Sequence, residues 1–307
     1  MNGILVVDKP AGWTSHDVVA KLRNTLRNTE QHSMPRNSYD RKEKDTRVGH
    51  GGTLDPMATG VLPVFIGRAT RAAGFCENAD KEYIAGLKLG LVTDTQDTTG
   101  IILESCDAAV SANDLLTVIP GFLGAQDQIP PMYSAIKVGG KKLYELARGG
   151  ADVPRSARNV FISEITLLGG ELNEFLLRVV CSKGTYVRTL CHDIGAALGC
   201  GGAMSSLRRT RAGVFTIDAA YTLDGILETI LSGRTESIIR PVDSIFSGYQ
   251  PVMLSKADMR KCKNGAPCQA DNIADGMYRF YGPDNEFIAL GEARSGRLKV
   301  IKGFYEV

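Results

Sequence analysis

Segments with a two-residue apolar period and segments with a helical period follow one another along these 307 residues in no regular strand–helix–strand rhythm. That irregularity argues against a doubly wound parallel sheet and for an α+β fold with a mixed, largely antiparallel sheet. Ile4 to Val7 is a short apolar run closed by Lys9, Pro10 and Gly12, which reads as a strand and a turn. Thr14 and Ser15 then offer an N-cap, and Val18, Val19, Leu22 and Leu26 follow at helical spacing. From Glu82 to Leu89 the chain alternates, with Tyr83, Ala85, Leu87 and Leu89 on one face and Lys88 on the other. Phe175 to Val180 reads as another strand. It leads through a Ser182-Lys183-Gly184 turn into a helix from about Thr185 to Leu198, whose apolar stripe is Val187, Leu190, Cys191, Ile194 and Leu198.

Charge is distributed unevenly along this frame. Residues 21–47 hold eight Lys/Arg against four Asp/Glu, and 27–46 read as a polar, basic loop inserted after the first helix. A boundary is expected near residues 240–250, giving units of 1–247 and 248–307. In the second unit Tyr278-Arg279-Phe280-Tyr281, a Gly282-Pro283-Asp284-Asn285 turn and Phe287 to Leu290 signal a hairpin, and Leu298 to Val300 a further strand. This unit carries nine Lys/Arg against seven Asp/Glu, while the first 247 residues balance at 27 against 27. With a net charge of only +2, affinity for a nucleic acid must come from local basic patches.

Other classes are disfavoured. There is no apolar stretch of the roughly 18 residues that a membrane helix needs, and the N-terminal apolar run is too short for a secretory leader. A cytoplasmic protein is the expectation. Seven scattered cysteines do not suggest a disulfide framework, and no C-x-x-C pair accompanies the four separated histidines, so a structural zinc site is not expected.

The densest chemical signal is His50-Gly51-Gly52-Thr53-Leu54-Asp55-Pro56-Met57-Ala58-Thr59-Gly60. Glycines and a proline impose a special backbone path around one carboxylate, as loops that hold functional groups do. On the bare string, an Asp that simply caps a turn explains Asp55 as well.

This block resembles the catalytic-loop signature of the TruB family of tRNA pseudouridine synthases. The likeness extends through Asp8-Lys9-Pro10-Ala11-Gly12-Trp13-Thr14-Ser15-His16, Lys81-Glu82-Tyr83, Thr93-Asp94-Thr95-Gln96-Asp97 and Ile129-Pro130-Pro131-Met132-Tyr133-Ser134-Ala135. It continues in family order through Lys141 to Arg148, Ser182 to Leu190 and Leu207-Arg208-Arg209-Thr210. The resemblance implies the pseudouridine synthase fold, with the last sixty residues similar to a PUA domain, a small RNA-binding β-barrel. It implies isomerisation of the T-loop uridine of tRNA by base flipping, N1–C1′ cleavage and C1′–C5 joining, without metal or cofactor. Asp55 is then the essential carboxylate, acting as nucleophile at C1′ or as base at the 2′ position. Arg188 is its cation, holding it charged and oriented. Tyr83 stacks on the base and is positioned for proton transfer. Tyr186 and Leu207 line the uracil pocket, and His50 contacts RNA near the flipped nucleotide. Lys9 is assigned to substrate binding, with support of the active-site loop as its other reading. Lys137, Lys141, Lys142 and Arg148 form one basic stretch expected to meet RNA phosphates, and Arg208, Arg209 and Arg211 another. The implied partner is the tRNA T-arm stem-loop, bound by a monomer with no obligate protein partner. The relatives of that family have a shorter link before the His50 block, so the basic 27–46 segment is expected to add an RNA contact.

Three other functions compete. A non-catalytic RNA-binding protein or tRNA-folding chaperone would use the basic patches and the PUA-like tail, but has no need of Asp55, Tyr83 and Arg188 together. A guide-RNA-dependent synthase would carry partner-protein surfaces that are not recognisable here. A glycosidase would need a second cooperating carboxylate, which the matched blocks do not nominate.

Overall fold

The Lys81–Leu89 strand, none of whose residues is fully exposed, lies at the middle of a ten-stranded mixed sheet. The order across it is Tyr221–Thr222, Gly3–Lys9, Thr59–Ile66, Gly202–Ala212, Lys81–Leu89, Glu174–Cys181, Arg158–Glu171 and Gly124–Gln128, with two short strands branching off. Only the Gly3–Lys9/Tyr221–Thr222 and Thr59–Ile66/Gly202–Ala212 neighbours run parallel. The protein is α+β, as the irregular periodicity implies. The structure is a computed structural model that describes residues 1–33, 47–269 and 273–305. Among these, no helix is long and apolar enough to cross a membrane.

Helices cover the sheet where the apolar stripes predict. Thr14 and Asp17 cap the Ser15–Ser33 helix reciprocally: the Asp17 backbone N–H donates to Thr14 Oγ1 at 3.0 Å and the Thr14 N–H to Asp17 Oδ2 at 3.0 Å. Its Val18, Val19, Leu22 and Leu26 bury against Leu5, Val7, Leu62 and Val64 of the sheet and Ile226 of the Leu223–Leu231 helix. The expected loop from residue 27 is corrected here, because the helix runs on to Ser33. A helix docked by its first three turns propagates cheaply when the next residues, Arg27, Glu30 and Gln31, are good helix formers. The remainder of the basic 27–46 segment, 34–46, lies outside the described residues. Farther across the sheet, Val187, Leu190, Cys191 and Ile194 of the Val187–Ala197 helix join Leu87, Leu177 and Met204 in a second core.

A second sheet of five strands begins at Gln250. Its Gly276–Tyr281/Phe287–Arg294 hairpin turns where the Gly-Pro-Asp-Asn sequence predicts. It has its own core of Leu254, Cys262, Phe280, Ile288 and Leu298. Its Phe287 and Phe304 also pack on Phe246, which precedes the second sheet and is set edge-on to Phe75 at 5.1 Å between ring centres. All seven cysteines are free.

Candidate active site

The Asp55 loop is nailed down from behind by polar side chains. Lys9 sits at the end of the Gly3–Lys9 strand with no exposed surface, and its ammonium donates to the carbonyls of Trp13 (2.6 Å), Pro10 (2.8 Å) and Pro56 (3.3 Å). The Gly12 N–H reaches Pro56 O at 2.8 Å, and Ser15 Oγ both accepts from the Leu54 N–H (2.8 Å) and donates to Leu54 O (3.1 Å). Gly60 ends the loop at φ +101, where a Cβ would stand 2.2 Å from the Arg209 carbonyl, so only glycine lets the two parallel strands meet. The apolar Leu54 and Ala58 point inward. What remains facing out is the Asp55 carboxylate, with its side chain 40% exposed.

Asp55 Oδ2 lies 2.9 Å from Arg188 Nη2. Arg188 stands in the first turn of its helix and is itself buried. Its guanidinium also donates to Tyr133 O at 2.8 Å and Thr95 O at 3.1 Å, and a second carboxylate, Asp97 Oδ2, lies 3.8 Å from Nη1. Asp97 is buried and fixed in turn, because its Oδ1 accepts from Thr95 Oγ1 (2.8 Å), Thr99 Oγ1 (2.6 Å) and the Thr99 N–H (3.0 Å). The cation therefore has one planar orientation available, and that orientation presents Nη2 to Asp55.

In front of this pair is a cleft of about 270 Å³ whose walls include Tyr83, Tyr186, Leu207, Arg209 and Lys81. Tyr83 and Arg209 are direct cross-strand partners, so their side chains share a face. Burial pushes the Tyr83 phenol above its ordinary pKa, with Arg209 pulling it back in part, so Tyr83 carries its proton at neutral pH. Tyr186 is shifted up by burial in the same sense. Gln128 holds the Tyr186 backbone from both sides, accepting its N–H at 2.8 Å and donating to its carbonyl at 3.1 Å. The cleft thus presents a carboxylate with a fixed cation, two protonated phenols and an apolar side chain, a slot suited to a flat, polar-edged ring.

Of the residues nominated from sequence, Asp55, Tyr83, Tyr186, Arg188 and Leu207 come together in this cleft. Four do not line it. Lys9 is the clearest correction: its ammonium is spent on three carbonyls beneath the loop and cannot reach a substrate. Burial pushes it down to about 8, with Asp55 partly opposing. His50 sits at the end of the Val48–His50 strand, where burial, then Arg209, lowers its pKa and its Nδ1 has no hydrogen-bond partner. Arg208 forks onto Asp8 at 2.8 and 3.1 Å and reaches Thr59 Oγ1 at 3.3 Å. Lys137 is exposed on a hairpin with Lys141 and Lys142. Arg209, read above as part of a basic RNA-facing run, is instead almost wholly inside the protein. Asp97 and Gln128 were not nominated; Asp97 stood in plain view within the matched Thr93–Asp97 block.

The chain is similar to known proteins along nearly its whole length. Residues 40–187 match the TruB family pseudouridylate synthase N-terminal domain, and residues 188–247 the tRNA pseudouridylate synthase B C-terminal domain. The chain is 39% identical over 309 residues to tRNA pseudouridine synthase B of Clostridium kluyveri, covering 99% of this chain and 100% of that one. It is 41% identical to the protein of the same name from Syntrophomonas wolfei, covering 96% and 94%. Among solved structures it is similar to the crystal structure of a Cbf5-Nop10-Gar1 complex, with a TM-score of 0.71 and 27% identity over 99% of this chain and 85% of that one. It is equally similar to an H/ACA RNP bound to a substrate RNA containing 2′-deoxyuridine, with a TM-score of 0.70 and 26% identity over 99% and 85%.

Proposed function

The chain belongs to the TruB family of pseudouridylate synthases, and on that premise we propose that it isomerises the T-loop uridine of tRNA to pseudouridine with Asp55 as its catalytic carboxylate. The observation that carries this reading is the Asp55–Arg188 contact of 2.9 Å at the mouth of a cleft walled by Tyr83, Tyr186 and Leu207. A uridine inside a stacked loop must be extruded to reach such a cleft, and aromatic walls offset part of the lost stacking. With Oδ2 on Arg188, Oδ1 of Asp55 is the free oxygen for the ribose. Attack at C1′ and removal of the 2′ proton both use that oxygen, and the guanidinium on Oδ2 orients it. The N1–C1′ bond breaks, the uracil turns within the slot, and C5 joins C1′. The C5 proton must then leave, and Tyr83 in the cleft wall can relay it, taking the proton from C5 as it passes its own phenolic proton to water.

Near-complete alignment with proteins named for tRNA favours tRNA over a guide-RNA-dependent target. The hairpin of exposed Lys137 and Lys141 and half-buried Lys142 is read as a phosphate contact for the T-arm. Residues 248–307, with their own core, are read as a PUA-like RNA-binding domain beside a catalytic domain of 1–247. The enzyme is read as a cytoplasmic monomer with no obligate protein partner.

The test is pseudouridine mapping on an unmodified tRNA transcript incubated with the wild type or with Asp55→Ala. Modification at the T-loop uridine by the wild type alone is expected. Binding without product by both proteins would replace this reading with that of an RNA chaperone.

A further inference from the structure

Arg209 heads the largest fully buried side chains of the protein, and among the described residues it has no carboxylate partner. Burying an unpaired cation is costly, and an apolar chain of similar length would fill the space at lower cost. The guanidinium must therefore be judged by what its donors hold. Nε donates to Val61 O at 2.7 Å, Nη2 to Gly52 O at 3.1 Å and Nη1 to Thr53 O at 3.4 Å. Those carbonyls stand on the two sides of the Asp55 loop, which leaves at Gly52 and Thr53 and returns through Gly60 to Val61. Arg209 also meets that loop through its backbone, as the parallel partner of Gly60, and faces Tyr83 as its antiparallel partner. Gly52 lies at φ +120, and a Cβ there would stand 3.7 Å from Nη1. One side chain thus ties the ascending limb of the catalytic loop, its descending limb and the strand that bears Tyr83.

We propose that Arg209 is a positioning residue for the isomerisation, a clasp that fixes the Asp55 carboxylate relative to Arg188 and Tyr83. The proposal rests on the pseudouridine synthase reading above. Lys9 and Ser15 hold the same loop from behind, at Pro56 and Leu54, but neither reaches its two limbs at once. Without the clasp the loop stays attached to the fold while its carboxylate loses its fixed distance to the ribose. Chemistry slows, and tRNA binding, made elsewhere, does not.

The experiment compares full-length wild type, Arg209→Ala and Arg209→Lys on an unmodified tRNA transcript, measuring tRNA affinity, thermal stability and the single-turnover rate of pseudouridine formation at saturating enzyme. A displacement of about 1 Å costs on the order of 100-fold in rate. R209A is therefore expected to fall by about that factor with its affinity for tRNA unchanged. Millimolar guanidinium ion, far below denaturing levels, is expected to refill the hole and restore much of the rate, while methylammonium is not. R209K keeps the buried charge but not the three-pronged geometry, and is expected to melt near the wild type and still be slow. R209K decides the matter if R209A does not fold. Either folded variant turning over at the wild-type rate, or a rate loss in R209A that guanidinium leaves untouched, overturns the proposal. A wild type that forms no pseudouridine refutes the functional reading instead.

Discussion

Replacing Arg188 by Met separates what the cation does for the fold from what it does for the reaction. The substitution leaves Asp97 without its cation in a place where its side chain is 7% exposed, and strips a donor from the carbonyls of Thr95 and Tyr133. Breaking a buried ion pair by removing one partner costs about 3–5 kcal/mol. The Asp55 contact adds little to that, because its carboxylate is 40% exposed and solvent screens it. Three hydrogen bonds from Thr95 and Thr99 still serve Asp97, so the lower half of the range is expected. At roughly 2–4 °C per kcal/mol for a domain of this size, R188M should melt about 6–16 °C below the wild type. The single-turnover rate should fall by at least about 100-fold, since Asp55 loses the donor that orients it. The double variant Arg188→Met/Asp97→Asn removes the stranded charge. It should regain at least about 1 kcal/mol of stability and none of the rate. Differential scanning calorimetry and pseudouridine formation from one preparation measure both. Recovery of rate in the double variant, or an R188M melting point within experimental error of the wild type, would refute the reasoning.

Two further outcomes follow from other cations of the protein. Lys9 has its folded pKa lowered to about 8 from 10.5. Between those values the folded state binds fewer protons than the unfolded one, so its contribution to stability rises with pH across that window. Urea unfolding at pH 8 and pH 10 should show wild type gaining on Lys9→Met by up to about 3 kcal/mol; an equal difference between the two proteins at both pH values would dismiss the shift. Neutralising the exposed hairpin with Lys137→Gln, Lys141→Gln and Lys142→Gln should leave the melting point alone and flatten the dependence of log affinity for tRNA on log salt by about 0.7–0.9 for each phosphate no longer neutralised. An unchanged slope would take the hairpin off the RNA.

The parts of this protein legible in its sequence are those where one period dominates. The Tyr83–Leu89 alternation and the Val187–Ile194 stripe each name an element and its inward face, because burial on one side is the main demand on those residues. Asp55, Tyr83, Tyr186, Arg188 and Leu207 lie up to 152 positions apart, and no periodicity brings them together. Their meeting in one cleft is foreseeable only through family motifs. The first helix outruns its expected end because a loss of apolar residues is not a loss of helix: only its docked turns need them.

The misread cations share a deeper cause. Summing charge over Arg208, Arg209 and Arg211 treats the three as one patch. On a strand, neighbours point to opposite faces, so two adjacent arginines cannot both meet the same RNA. Arg209 has the parity of Leu207 and is paired with Tyr83, both of which face the cleft, while Arg208 turns the other way to Asp8. A register shift between Arg209 and Arg211 then sets Arg211 against Glu82. The parity is readable once Leu207 is assigned to the base pocket, and it moves Arg209 from the RNA-binding surface to the active site. Lys9 follows the same logic: it closes a strand whose apolar residues are all buried, and turns into the loop that carries Asp55. Where such a cation finds backbone carbonyls and no carboxylate, its purpose is the shape of the backbone it gathers, and here that backbone is the one that aims the catalytic carboxylate.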